Sequence, residues 1–105
     1  MPAPDTLVVA AQVWRSTISL LEPYARVQVE AGVLWYGTRS SDELAVAVLA
    51  GIPRQTNRKR SFEITSEDLA ALNRAVPERL VVVAQLHTHP GEDTEHSPWD
   101  DDLTA

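Results

Sequence analysis

The segment from Leu80 to Leu86, apolar at every position except Gln85, constrains the fold of this chain more than any other. It predicts a central strand buried on both faces, because an amphipathic edge strand would alternate with polar residues. Such a strand needs cover on each side, and the rest of the chain offers helices for it. From Gln12 to Leu21 the residues Val13, Trp14, Thr17, Ile18 and Leu21 recur at three- and four-residue steps, a helical period that Pro23 is expected to close. Ser66 reads as the N-cap of a second helix, with Glu67 and Asp68 in its first turn, Leu69, Leu72, Ala75 and Val76 as its apolar stripe, and Pro77 as its stop. Leu7 to Ala10 and Phe62 to Ile64 read as short strands. Val33 to Tyr36, bounded by Gly32 and Gly37, and Leu44 to Leu49, ended by Gly51 and Pro53, read as an antiparallel pair. The expectation is one α/β (α+β) domain over residues 1–105, with a mixed, mostly antiparallel sheet flanked by helices. At 105 residues it can bury a core with little to spare.

The buried run leads straight into His87-Thr88-His89-Pro90. Residues i and i+2 of a strand share a face, so the two imidazoles can converge on one point. That is the geometry of a metal pair, and equally of a polar strand end. Ser97-Pro98-Trp99-Asp100 likewise has two readings. Serine at an N-cap, proline at the first helical position and an acid three residues beyond the cap resemble a capping box that starts a helix. A first-turn carboxylate there could also complete a metal site with the histidines. Two imidazoles and a carboxylate are the ligand complement of an open catalytic zinc, with the fourth position left for water. His96 reads as a solvated loop residue.

Composition narrows the function classes. The chain has no cysteine, which excludes a disulfide scaffold, an iron–sulfur cluster and a thiolate zinc site, and fits a reducing compartment. No apolar run approaches the roughly 18 residues of a membrane span, and Met1 to Asp5 lack the basic start of a signal peptide. A soluble cytoplasmic protein is therefore expected. The net charge of −6 argues against non-specific nucleic-acid binding. Charge is unevenly spread: Arg54, Arg58, Lys59 and Arg60 cluster, while Glu92, Asp93, Glu95 and Asp100 to Asp102 make the tail acidic. The basic cluster is either a solvated loop or a patch that docks an acidic partner.

Taken with its spacing, the polar segment becomes specific. His-x-His-Pro, with seven residues between the second histidine and the serine of Ser-x-x-Asp, resembles the metal-binding motif of the JAMM (MPN+, Mov34/Pad1-type, JAB) metalloprotease domain. That motif also has a glutamate at the start of a glycine-containing apolar strand, and Glu30-Ala31-Gly32-Val33-Leu34-Trp35-Tyr36-Gly37 is similar to it, with Val33 standing where a second glycine is common. The resemblance covers roughly residues 7 to 105. It implies a JAB/MPN-like (cytidine-deaminase-like) fold and one Zn2+ per chain held by His87, His89 and Asp100. Glu30 would be the general base and Ser97 would support the tetrahedral oxyanion.

The activity so implied is zinc-dependent isopeptidase or peptidase cleavage of an amide at the C-terminus of a ubiquitin-like or sulfur-carrier protein, whose extended tail pairs with a sheet edge. Only Asp101 to Ala105 follow Asp100, whereas the family domain continues through that helix into further strands. The expectation is a short form, or a layer completed by another chain in a homo-oligomer. Two other readings stay open. RadC-type, DNA-associated domains carry a similar set on a related fold, though the acidic charge and the Glu30–Gly37 segment favour JAMM. A non-catalytic MPN-like scaffold would have no chemical need for all five polar residues.

Overall fold

A computed structural model of the chain describes residues 6–40, 44–88 and 99–102, the last four by their backbone alone. The element order is β1 (Thr6–Val9), α1 (Ala11–Arg26), β2 (Gly32–Arg39), β3 (Leu44–Gly51), β4 (Thr56–Asn57), β5 (Phe62–Glu63), α2 (Ser66–Ala75), β6 (Val81–Thr88) and β7 (Trp99–Asp102). The main sheet is five-stranded in the order β1-β3-β2-β6-β7. Its β1–β3 pair is parallel and its other pairs are antiparallel. A mixed, mostly antiparallel sheet with two helices is thus the architecture, and the expected β2–β3 pair is present. β4 and β5 form a separate small hairpin. No helix among the described residues is long and apolar enough to cross a membrane.

The two faces of β2 decide the layers. Val33 and Trp35 enter one core with Val13 and Leu21 of α1, Ala45 and Ala47 of β3, and Val83, Ala84 and Leu86 of β6. Leu34 and Tyr36 enter a second, smaller core with Val76, against which Leu69 and Leu72 of α2 pack. The polar atoms taken into these cores are satisfied. Trp35 Nε1 donates to Thr17 Oγ1 at 2.8 Å, and that hydroxyl donates to the Val13 carbonyl at 2.7 Å. The Trp14 ring meets Trp35 edge-on with centroids 4.8 Å apart. On the other face, Tyr36 Oη donates to Asn73 Oδ1 at 2.5 Å, and burial raises the phenol's pKa above its ordinary value. Thr17 therefore belongs to the apolar stripe as a bonded hydroxyl, whereas Ile18 of the expected stripe stays 49% exposed.

Several expectations are corrected. α1 continues through Pro23 to Arg26 rather than ending near Leu21. Proline deprives the Ser19 carbonyl of its i+4 donor, but Ser19 and Pro23 are both exposed, where water can replace the bond. Burial of Leu21 and packing of Tyr24 against the larger core hold the final turn in place. The N-cap of α2 is Thr65, not Ser66: its Oγ1 accepts from the Asp68 N–H at 3.1 Å. Residues 99–102 form a strand on β6 and not a helix begun at Pro98. The extended β6 edge offers a row of ladder hydrogen bonds, which outweighs a helix too short to be stable alone.

α1 closes in a Schellman arrangement, with Val29 N–H donating to the Tyr24 carbonyl at 3.2 Å and Gln28 N–H to the Ala25 carbonyl at 3.0 Å. The residue that turns the chain is Gln28, at φ 58°, where glycine would meet no Cβ penalty. Gln28→Gly is expected to stabilise the domain by about 0.5–1 kcal/mol. A rise in the urea midpoint at unchanged m-value checks this, and a lowered midpoint would refute it.

Candidate functional site

His87 and Thr88 end β6. Leu86 and Thr88 turn into the protein and are almost fully buried, while His87, on the opposite face, is half-buried. In register, His87 stands between Gly32 of β2 on one side and Asp100 of β7 on the other. The ring of Phe62, from β5, lies over the same face with its centroid 5.6 Å from that of His87, the planes tilted by 48°. Gly32 makes this possible. A Cβ there would fall 2.5 and 2.8 Å from Phe62 Cε2 and Cζ, inside contact distance.

Glu30 reaches the same end of the sheet through backbone bonds rather than through a strand of its own. Thr88 N–H donates to the Ala31 carbonyl at 3.1 Å, and Ala31 N–H donates to Thr88 Oγ1 at 3.3 Å. The same hydroxyl reaches the Val29 carbonyl at 3.5 Å. The residue between the two histidines therefore ties down both neighbours of Glu30.

From the other side the β4–β5 hairpin acts as a strap. Glu30 N–H donates to the Arg58 carbonyl at 2.7 Å, and Asn57 Nδ2 donates to the Glu30 carbonyl at 2.9 Å. Gln55 accepts from Gly32 N–H with Oε1 at 2.8 Å and donates from Nε2 to the Gly32 carbonyl at 2.9 Å. β3 has run out by Gly51, the partner of Leu34, so the Gln55 carboxamide takes the place of a ladder strand beside Gly32. Asn57 Nδ2 also donates to Gln55 Oε1 at 2.9 Å, which joins the two carboxamides into one clamp.

Of the five residues singled out in the sequence, the backbone brings Glu30, His87 and Asp100 to one end of the sheet. His89 and Ser97 lie outside the described residues, as does the Asp100 side chain. Among the described residues no three His, Cys, Asp or Glu side chains gather as a metal-holding group. The backbone register pairs His87 with Asp100 on neighbouring antiparallel strands.

Sequence reasoning missed Thr88, Gln55, Asn57 and Phe62. Thr88 carried a usable signal: period-two alternation sends it to the face opposite the histidines, into the core, where its hydroxyl must find partners. Gln55 and Asn57 carried none, because their partners are backbone atoms of a distant segment.

Among the described residues an apolar groove lies elsewhere. About 340 Å³ in volume, it runs between α1 and the β1–β3 edge past Val8, Gln12, Val13, Ser16 and Val48, without an acid–base group. Comparison with protein-family models gives no match, and no curated protein matches the chain.

Proposed function

We propose that this chain is a JAMM-type zinc-dependent isopeptidase or peptidase that hydrolyses an amide at the C-terminus of a ubiquitin-like or sulfur-carrier protein. The observation that carries the reading is the lock between Ala31 and Thr88, 57 positions apart, which sets Glu30 beside the strand end that bears His87. His87, His89 and Asp100 would hold the metal; their nitrogen and oxygen donors are those of an open zinc site. Bound zinc would supply acidity, lowering the pKa of a water held there far below that of bulk water, to about 7.

The remaining work falls to the chain. Glu30 would accept the water's proton as oxygen attacks the scissile carbonyl carbon, then return it to the leaving nitrogen as the C–N bond breaks. Ser97 would donate a hydrogen bond to the carbonyl oxygen as it takes up negative charge. The clamp of Gln55 and Asn57 serves this role, since a base must keep its position through both proton transfers.

The test is zinc uptake by the purified chain, combined with cleavage of a ubiquitin-like protein fused through its C-terminus to a reporter. One zinc per chain is expected, and His87→Ala should weaken its binding by about two orders of magnitude or more, beyond the loss seen for outer-shell changes. A chain that takes up no zinc would overturn the proposal. So would zinc affinity equal in wild type and His87→Ala.

A further inference from the structure

The β4–β5 hairpin that clamps Glu30 also carries the basic cluster. Arg58, Lys59 and Arg60 form its turn and are exposed, with Arg54 exposed just ahead of β4. Among the described residues no carboxylate pairs with any of the four. Arg58 closes the turn by donating its N–H to the Ser61 carbonyl at 2.8 Å, and its own carbonyl takes the Glu30 N–H. The cationic turn is thus bonded, backbone to backbone, to the end of the sheet that holds Glu30 and His87. Neighbouring cations repel one another, and neither core nor clamp needs these side chains. In a chain of net charge −6 they form a local positive field of opposite sign to the whole.

We propose that the Arg58–Arg60 turn docks an acidic surface of a protein partner, so that the partner at the Glu30–His87 site carries carboxylates near the segment it presents. Identifying that partner as the substrate rests on the hydrolase reading; the docking does not. Carboxylates suit the turn better than a phosphodiester strand. A nucleic acid would extend its unbroken charge, about one per 1.7 Å of duplex, beyond a single hairpin end onto an otherwise acidic chain. Single exposed ion pairs add little affinity, but three adjacent cations together steer encounter and fix orientation.

The experiment uses the full chain and two fluorescein-labelled peptides, one with four glutamates and one with glutamines in their place, read by anisotropy. At low ionic strength the glutamate peptide is expected to bind about tenfold more tightly, with the preference shrinking as salt rises. Combining Arg58→Glu, Lys59→Glu and Arg60→Glu should abolish the preference. The corresponding glutamine substitutions should reduce it, and thermal melts of both variants establish that the fold is kept.

Equal binding of the two peptides would overturn the proposal, as would a preference that survives the triple substitution. Tighter binding of a single-stranded oligonucleotide than of the glutamate peptide would also overturn it and assign the turn to nucleic acid. A salt-dependent preference in a chain that neither binds zinc nor cleaves keeps the docking surface and removes the hydrolase. Cleavage whose KM is unmoved by the triple substitution keeps the hydrolase and overturns the substrate as the docked partner.

Discussion

Gly37→Ala is expected to cost about 3–5 kcal/mol, a large part of the 5–15 kcal/mol that holds a domain together. A Cβ at Gly37 would stand 1.8 Å from the Val46 carbonyl oxygen, 2.7 Å from its carbon and 3.0 Å from Ala47 Cα. All three are backbone atoms of β3, so no rotamer change relieves the clash. The register explains the closeness. Partners step from Tyr36 and Leu49 to Gly37 and Ala47, leaving Val48 as an extra residue that presses the β3 backbone toward β2. To admit a methyl group the two strands must part, which disrupts the pairing from Gly37 to Arg39 and loosens the buried Ala45 and Ala47. Gly51→Ala is the control: the nearest atoms its Cβ would meet are the Leu72 methyls at 3.2 and 3.4 Å, on a side chain that can shift. Urea unfolding of both variants is the measurement. A loss below about 1 kcal/mol for Gly37→Ala, within the range of a tolerated overpacking, would show that the strands yield there.

Glu30→Gln is expected to lower cleavage of the reporter fusion by about 10²- to 10⁴-fold, the usual contribution of a positioned general base. The substitution keeps shape and removes only the ability to hold a proton as a carboxylate. Structure should be unaffected, because Glu30 is held by its own N–H and carbonyl, to Arg58 and Asn57. Zinc affinity should also stay close to wild type, since Glu30 is not one of the proposed ligands. That split separates a base from a ligand and from a structural acid. Cleavage equal to wild type would remove the general-base role, and a matching loss of zinc would make Glu30 a ligand instead.

Much of the architecture was legible because burial leaves a periodic trace. The valine-rich run at Leu80–Leu86, the pair of apolar segments around Trp35 and Ala47, and the stripe from Val13 to Leu21 all report which faces meet the core. The juxtaposition of Glu30 with His87 was legible only through motif spacing, as nothing local to either residue encodes it. β4 was missed because its two residues, Thr56 and Asn57, carry no apolar pattern. Residues 99–102 were misread because Ser97-Pro98 is a sound local helix start, and local propensity is a weak prior against an open strand edge.

The sequence by itself determined the kinds of group available: a buried strand that ends in imidazoles, an acid before a glycine-containing strand, and a cationic turn in an acidic chain. Those properties belong to single residues and short periods. The tertiary structure alone decided that α1 runs through Pro23, that Thr88 ties down both neighbours of Glu30, and that Gln55 and Asn57 stand in for a missing strand. Each of these is a contact between segments far apart in the chain. Its free energy appears only once the sheet has brought the partners together and removed the water that would otherwise bond them.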